Sequence, residues 1–193
     1  ALSKARENAR SAACMSNLKQ IGIALHLYLN DYNDFYPPNK GNPSSMNSGV
    51  WKFLSPYMRT VNIYAKNTKS SWWCPSDLFR KQRGYEQNSY GINYYLGINY
   101  TTKFYATYAG ARFPSATIYL FDSYDYSAYA GSSAVTMAAT QWPFDNTKTP
   151  GNSGLDFRHN ERANCLFLDG HVQGMSVADC LGKGSKLLYN QAP

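Results

Sequence analysis

An apolar repeat with the period of an α-helix occupies the first 35 residues and constrains the fold more than any other feature. Large apolar side chains recur from Leu18 to Tyr32 at steps of three and four residues, which places them on one face of a helix. Pro37 and Pro38 prevent the helix from continuing. The sequence therefore predicts a long helix over residues 1–35, with its second half packed on a globular body.

The front of this helix carries small side chains and positive charge. The helical steps are kept there by Leu2, Ala5, Ala9 and Ala12. Lys4, Arg6 and Arg10 place positive charge against the positive end of the helix dipole, and no capping box opens the helix. We therefore expect the natural helix to begin ahead of Ala1. Its front half is expected either to project from the body or to pack closely against a neighbouring helix.

The charge of the chain is low and unevenly distributed. Charged residues make up only 16% of the sequence, and Tyr accounts for 17 of its residues, a composition typical of extracytoplasmic proteins. The net charge of +7 belongs wholly to residues 1–100, which hold 12 basic residues (Lys and Arg) and 5 acidic residues (Asp and Glu). Residues 101–193 hold 7 basic and 7 acidic residues and have no net charge. The basic excess is compatible with nucleic acid, anionic lipid or an acidic partner.

The rest of the chain predicts antiparallel β-structure. Strands are expected over residues 90–96, 117–121, 155–159 and 163–168. Asp169-Gly170 is the sequence signal of a two-residue type I′ turn. The strand over 163–168 is almost continuously apolar, so both of its faces are expected to be covered, one of them by the helix.

These elements predict a single α+β domain over residues 1–193. In it, a long N-terminal helix over residues 1–35 packs on an antiparallel β-meander within a globular head over residues 36–193. Residues 124–154 carry few charges and are expected to form a long excursion rich in Gly, Ser, Thr and Tyr.

Three sets of motifs, taken in order, resemble bacterial prepilin-type proteins. The first set is Ala5–Arg10, Cys14–Ala24, Tyr28 and Asp31; the second is Trp51, Pro56-Tyr57, Cys74–Asp77 and Ser89–Gly91; the third is His159, nine further residues, and Asp169-Gly170. Together they cover the chain to about residue 175. The ordered set is similar to that of type II secretion pseudopilin-like proteins that carry a processing-associated His-(nine residues)-Asp-Gly motif.

The resemblance implies a pilin-like head and a structural role. It implies a short basic leader that a prepilin peptidase cleaves and methylates, followed by an apolar segment anchored in the inner membrane. The head would stand in the periplasm or on the cell surface, and its partners would be other pilin or pseudopilin subunits of a type II secretion or type IV pilus-like assembly. Secreted cargo or a surface glycan would be further partners. Without the apolar segment, the chain is expected to be mainly monomeric.

A second hypothesis makes the protein an extracytoplasmic binding module. Tyr124, Tyr126 and Tyr129 lie in the poorly charged excursion and are candidate contact residues for glycan or DNA. An exported enzyme is not expected, because no nucleophile, phosphate-loop or metalloprotease motif occurs.

Neither a catalytic site, a cofactor nor a metal is predicted. His159 and Asp169 are expected at opposite ends of one strand, about 17 Å apart at 3.3 Å per residue, too far to share one ion. We therefore expect structural roles for the motif residues His159, Asp169 and Gly170. Asp122 and Asp125 are considered as calcium ligands, but the spacing of a calcium-binding loop is absent.

Four cysteines, Cys14, Cys74, Cys165 and Cys180, allow three complete pairings, and the sequence does not choose among them. The resemblance places cysteines at the first two positions, which favours a Cys14–Cys74 disulfide. Cys165 and Cys180 are left open between a second bridge and two reduced thiols.

Overall fold

The computed structural model describes residues 2–38, 50–58, 70–77, 89–93, 96, 107–124, 136–137 and 154–183. These residues form an α+β arrangement in which a long N-terminal helix packs on a mainly antiparallel sheet, as predicted.

The long helix, α1, spans Leu2–Asp31. At 1.5 Å per residue its 30 residues extend about 45 Å. The helix ends where Asn33 and Asp34 adopt left-handed backbone angles, with φ of 51° and 64°. The Asp34 N–H donates to the carbonyl of Leu29 at 2.9 Å, which satisfies one of the last helical carbonyls. The predicted helix is confirmed, and it ends slightly earlier than the sequence indicated.

Six strands form the sheet: β1 (Tyr90–Asn93), β2 (Ile118–Tyr124), β3 (Thr136–Met137), β4 (Gly154–Leu155), β5 (Arg162–Phe167) and β6 (Val172–Ser176). Their order is β3-β1-β2-β5-β6, with β4 paired to β2 outside this path. The strands β1, β2, β5 and β6 form the predicted antiparallel meander, whereas β3 runs parallel to β1. Two short helices, α2 (Val50–Leu54) and α3 (Val177–Lys183), complete the described elements together with 3₁₀ turns at Ser55–Tyr57 and Pro114–Ala116.

The strand predicted over residues 155–159 was expected to pair with the following strand, and this pairing is wrong. The structure instead pairs β4 with β2, opposing Leu155 to Ser123. Only a single bridge joins His159 to Arg162, because Asn160 and Glu161 form a tight two-residue turn between them. Both turn residues have positive φ, 49° and 64°, as a type I′ turn requires.

The turn at Asp169-Gly170 also differs from the prediction, although the hairpin itself is present. Only Gly170 has a positive φ, at 84°. Its N–H donates to the Phe167 carbonyl at 3.0 Å, and the Phe167 N–H donates to the His171 carbonyl at 2.9 Å. This is a three-residue loop with a bulge at glycine, because the Asp169 backbone does not take the left-handed angle of a type I′ turn.

Both faces of β5 are covered, as predicted. Ala163, Cys165 and Phe167 point into one apolar cluster that also contains Phe121 and Cys180. On the opposite face Asn164 and Leu166 meet α1. The helix runs along β5 in the same direction, since Ser11 contacts Asn164 while the later Lys19 donates to the Gly170 carbonyl at 2.8 Å.

Gly22 allows α1 to pack closely on β5 without displacing the Leu166 side chain. A Cβ atom there would lie 2.9 Å from Cδ1 of Leu166. The buried side chains of α1 include Leu18, Ile21 and Leu25 and form one wall of the larger apolar cluster. The second half of the helix therefore supplies its large apolar contacts, as the apolar repeat predicts. The front half was expected to project from the body or to pack against a neighbouring helix, but it also contacts the head, through Glu7 with His159 and Ser11 with Asn164.

The outward face of α1 carries apolar side chains in its first three turns and again near its end, with Ser16, Lys19 and Gln20 between them. At about 100° per residue, the small side chains at the front of the helix lie opposite its buried face. All of them are exposed in the structure: Leu2, Ala5, Ala9 and Ala12. Ile23 and Leu27 continue the row and are 55% and 49% exposed. Among the described residues, no helix combines the length and the apolar character needed to cross a membrane.

Candidate functional site

Four polar side chains from four distant parts of the chain meet beneath α1. They are Cys14 on α1, Cys74 in the 70–77 segment, Asp122 on β2 and His159 at the start of the turn before β5, and we call them the polar cluster. One sulfur, oxygen or nitrogen atom of each lies within 4.8 Å of the others. All four are buried, with exposures of 0–2%.

Each member is positioned by a different piece of local structure. Cys14 lies one helical turn before Leu18 on the buried face of α1. Cys74 follows two buried tryptophans and is held by an Asn17 side chain that donates to the Trp73 carbonyl at 2.8 Å. The pairing of β1 with β2 places Asp122 opposite Tyr90.

Short contacts connect the four side chains. His159 Nε2 lies 3.2 Å from Cys74 Sγ and 3.3 Å from Asp122 Oδ2. The Cys14 thiol donates to Asp122 Oδ1 at 3.3 Å. Each member therefore contacts at least one other, and Asp122 lies between Cys14 and His159.

A second layer of residues orients the polar cluster. His159 Nδ1 lies 2.7 Å from Glu7 Oε1, and that carboxylate also accepts a hydrogen bond from the Ser76 hydroxyl at 2.6 Å. The Asn164 N–H donates to Asp122 Oδ2 at 2.8 Å. Because Nδ1 is engaged by Glu7, the ring of His159 presents Nε2 to the sulfur and carboxylate atoms.

Arg158 adds a buried positive charge beside the polar cluster. Its guanidinium lies 3.0 Å from Asp156 and 3.4 Å from Asp77, and it donates to the Ser123 carbonyl. Burial disfavours the charged form of Arg158, but Asp122 and the two paired carboxylates hold its pKa above the ordinary value. The arginine therefore remains charged and offsets part of the negative charge around Asp122.

The environment shifts the pKa values of the polar cluster in opposite directions. Burial alone would lower the pKa of His159, but its hydrogen bonds to Asp122 and Cys74 raise that pKa to about 10. A hydrogen bond from Cys14 holds the pKa of Cys74 below its ordinary value despite burial, and His159 acts in the same direction. Burial raises the pKa of Cys14. The shifts therefore favour the charged pair of an imidazolium at His159 and a thiolate at Cys74, and they favour the neutral thiol at Cys14.

The structure separates His159 from Asp169, as the sequence predicts. They lie before and after β5, so they do not form one site. Asp169 instead contacts its neighbour: Oδ1 accepts the His171 N–H at 3.0 Å and lies 2.6 Å from His171 Nδ1. Burial opposes ionisation of Asp169, but these hydrogen bonds from His171 lower its pKa.

The sequence analysis did not identify the side chains that contact His159. The pair considered there was His159 with Asp169, whereas the structure assembles His159 with Cys14, Cys74 and Asp122. The residue types were a signal, because thiol, imidazole and carboxylate are the usual zinc ligands. Their spacing was not, because zinc motifs are recognised by closely spaced pairs and these four residues are scattered over the chain.

The predicted Cys14–Cys74 disulfide is not formed in this structure. No disulfide joins any of the four cysteines in the structure, although the sulfurs of Cys14 and Cys74 lie within 4.8 Å of one another. A disulfide requires a sulfur separation close to 2 Å, whereas the observed arrangement inserts Asp122 and His159 against the two sulfurs. Cys165 and Cys180 lie together in the apolar cluster on the far face of β5, also reduced.

The candidate contact tyrosines and the candidate calcium ligands lie partly outside the described residues. Tyr124 is the last residue of β2, and Tyr126 and Tyr129 lie outside the described residues. Of the two carboxylates considered for calcium, Asp125 also lies outside the described residues. Asp122 belongs to the polar cluster, whose sulfur and nitrogen atoms are poor ligands for calcium.

The polar cluster is closed to solvent in the described part of the chain. A Cys–His pair with an orienting carboxylate also occurs in cysteine nucleophile sites, but such chemistry requires a substrate to reach the sulfur. Cys74 and His159 are 0% and 2% exposed. The arrangement is therefore suited to cross-linking buried segments, through charge pairs or through a bound ion.

Comparison with known proteins adds one match, to the front of the chain. Residues 3–73 match a family described as "Protein of unknown function (DUF1559)", which is associated with pilin-like and pseudopilin-like proteins. The match contains α1 with Cys14, stops just before Cys74, and does not reach His159, Asp169 or Gly170. Neither the curated proteins nor the solved structures contain a significant match.

Proposed function

We propose that this protein is a structural subunit of the cell envelope, the head of a pseudopilin or minor pilin in a type II secretion or type IV pilus-like assembly. The observation that carries the proposal is that α1 has two apolar faces. One is buried on the sheet. The other is exposed and consists of Leu2, Ala5, Ala9 and Ala12 at the front of the helix and Ile23 and Leu27 near its end. The family match over residues 3–73 and the prepilin-type motifs support the same role.

Exposed apolar side chains in a row along a helix indicate a surface that another protein covers. The outward face of a helix that packs on its own domain is ordinarily polar. Here Leu2 is 65% exposed, and Ile23 and Leu27 are each about half exposed. The small side chains of Ala5, Ala9 and Ala12 between them permit close approach of a second helix. We assign this row to contact with α1 of a neighbouring subunit.

In this proposal the head stands in the periplasm or on the cell surface. The apolar inner-membrane segment that the resemblance implies supplies the anchor. Lys4, Arg6 and Arg10 lie at the end of α1 nearest that segment, where basic side chains favour an anionic membrane surface. The protein acts by assembly, and the buried polar cluster holds the head together without catalysing a reaction.

The test is to place a charge on the outward row of the full-length protein in its host. Ala9→Glu and Ile23→Glu are expected to leave the head folded, because both side chains are exposed. They are expected to reduce incorporation into envelope assemblies at least tenfold, measured by shear fractionation and immunoblotting. Gln173→Glu, at an exposed position on β6, is the matched control and should assemble normally.

Two outcomes would refute the proposal. One is normal assembly of the double variant Ala9→Glu/Ile23→Glu, which would show that the outward row makes no contact. The other is a protein that fractionates with the cytosol and is never processed by a prepilin peptidase. Circular dichroism and thermal unfolding of the isolated variants distinguish loss of assembly from loss of folding.

A further inference from the structure

We propose that the polar cluster is a structural metal site for zinc, or for a divalent ion of the same ligand preference. The site joins the buried face of α1 to the head, and it does not depend on the assembly role proposed for the outward face of the helix. Its ligands would be one side-chain atom from each of the four members. The proposal rests on their chemical types, their mutual distances, their burial and the residues that orient them.

The ligand types select zinc. Two sulfurs, one imidazole nitrogen and one carboxylate oxygen form a four-ligand set of the kind found in structural zinc sites. Calcium takes six to eight oxygen ligands and magnesium six, so a site with two thiols suits neither. Burial of all four residues matches the closed form of a structural site, in which no position is left for substrate.

Three of the separations are close to those of a tetrahedral zinc site, although the Asp122 contacts use both carboxylate oxygens and the widest separation, up to 4.8 Å, would have to shorten on binding. Zinc bonds of about 2.0–2.3 Å in tetrahedral geometry place neighbouring ligand atoms about 3.3–3.8 Å apart. In the structure, the separations from His159 Nε2 to Cys74 Sγ and to Asp122 Oδ2 are 3.2 and 3.3 Å. The separation from Cys14 Sγ to Asp122 Oδ1 is 3.3 Å, and the whole set lies within 4.8 Å.

The surrounding residues hold the ligands in orientations suited to a metal. Metal-binding histidines usually donate their second ring N–H to a carboxylate, which fixes the tautomer and the ring orientation. Glu7 occupies that position, 2.7 Å from His159 Nδ1, and is itself held by Ser76. The Asn164 N–H fixes the Asp122 carboxylate, and the Tyr90 hydroxyl lies 3.4 Å from Cys14 Sγ.

A bound ion would join α1 to three segments that follow it in the chain. Because no compact site exists in the unfolded chain, binding to the folded state would add directly to stability, by an amount that grows with free metal concentration. The ion would also supply positive charge where two thiols and a carboxylate are buried together.

Metal titration of the reduced chain tests the proposal. The protein is treated with a thiol-free reductant and a chelator, desalted, and titrated with Zn²⁺ against a chromophoric competitor. We expect one equivalent to bind and the thermal midpoint to rise with free Zn²⁺. Co²⁺ should give sulfur-to-metal charge-transfer bands and the visible spectrum of a tetrahedral ion.

Matched cysteine variants locate the site. Cys74→Ser is expected to lose stoichiometric binding and the charge-transfer bands. Cys180→Ala removes an equally buried thiol from the other cluster and should bind one equivalent as before. Equal Zn²⁺ affinity in Cys74→Ser and the wild type would overturn the proposal, as would the absence of uptake by wild-type protein that is folded and fully reduced.

A second variant remains informative if Cys74→Ser fails to fold. Glu7→Gln touches no proposed ligand atom except through His159, and it is expected to weaken Zn²⁺ affinity about 10–100-fold. The exposed Glu161→Gln is its control and should have no effect. Unchanged affinity in Glu7→Gln would argue against His159 as a ligand. A Cys14–Cys74 disulfide in protein alkylated at cell lysis would also overturn the proposal, because bridged sulfurs cannot bind zinc.

Discussion

The two ends of β5 carry the two halves of one sequence motif, and they differ in nearly every physical respect. At the first end His159 is buried and contacts Glu7, Cys74 and Asp122. At the second end Asp169 and His171 pair with each other in an exposed hairpin loop. Residues separated by a fixed spacing in sequence therefore need not share a site, because a strand holds its two ends apart.

The tight turns at the two ends of β5 also differ in the residues that adopt left-handed backbone angles. The first turn forces Asn160 and Glu161 into left-handed angles so that His159 lies under α1. The second relies on Gly170, which tolerates its φ of 84°. Non-glycine residues therefore adopt left-handed backbone angles in the turn next to the polar cluster, whereas a glycine adopts this angle in the hairpin loop at the other end of β5.

The largest expected difference between the two ends comes from removing each histidine. His159→Ala deletes three polar contacts and removes the imidazolium beside the buried Asp122, leaving only Arg158 to offset its charge, so we expect a loss of about 3–5 kcal/mol. His171→Ala removes a partly exposed side chain stacked on Phe167 and should cost about 1 kcal/mol or less. Urea unfolding of both variants measures the difference. Equal losses would break the comparison.

Next in size is a pH effect confined to the first end. The raised pKa of His159, about 10, gives stability that is present below its unfolded value of 6.5 and lost as pH rises. The lowered pKa of Cys74, about 6, gives stability that is present above its unfolded value of 9.0 and lost as pH falls. Between pH 6.5 and 9 the two effects cancel, because the folded and unfolded states each bind one proton at this pair.

The Cys74→Ala variant should show the pH dependence of stability that His159 contributes. In chelator, the wild type should have nearly constant stability from pH 6.5 to 9, whereas the variant should lose up to about 1.4 kcal/mol per pH unit. Cys165→Ala, on the far face of β5, should behave like the wild type. Urea midpoints at four pH values provide the measurement, and a flat profile in Cys74→Ala would show that Asp122 alone does not raise the pKa of His159.

Substitutions in the two turns should change the stability of the protein in opposite directions. Gly170→Ala places a Cβ at positive φ, 3.2 Å from Nε2 of His26, and should destabilise by about 1–2 kcal/mol. Glu161→Gly relieves a side chain from its left-handed angle and should stabilise by up to about 1 kcal/mol. Thermal unfolding of the two variants against the wild type checks both signs. Destabilisation by Glu161→Gly would show that its side chain, not its backbone, matters.

The smallest effect is expected from Asp169→Asn. The amide oxygen can still accept the His171 N–H, so only the charged part of the contact is lost, about 0.5 kcal/mol. Because the pKa of Asp169 is lowered in the folded state, its contribution is present above its unfolded value of 3.8 and lost as pH falls. The difference between Asp169→Asn and the wild type should therefore vanish in acid. A loss above 2 kcal/mol would mean that this end is as constrained as the first.

Sequence patterns predicted those features of the fold that local periodicity controls. The repeat around Leu18 and Leu25 predicted α1, and the apolar run ending at Leu168 predicted a strand covered on both faces. The pairing of β4 was missed because Leu155 meets Ser123 only through contacts distant in sequence. The type I′ turn was assigned to Asp169-Gly170 and occurs at Asn160-Glu161, since tertiary packing overrode turn preference.

The polar cluster could not be predicted in the same way. Each member looks ordinary in its own segment: Cys14 on a helix, Asp122 in a strand and His159 at a turn. Their meeting depends on the register of β2 against β5 and on the direction of α1 across the sheet, neither of which is encoded locally. Only the motif spacing from His159 to Gly170 carried a correct inference, namely that the motif residues do not form a single site.

The direction of α1 along β5 has a consequence for how the chain folds. Helices form within about a microsecond and use only local contacts, so α1 is the element whose structure can appear first. Its anchoring contacts, however, join Glu7 to His159 and Cys14 to Asp122, across 152 and 108 residues of sequence. Closing such long loops is slow, because their entropy is lost before any contact compensates for it. We therefore expect the front of α1 to be fixed on the sheet only after β2 and β5 have paired, although the helix itself can form early.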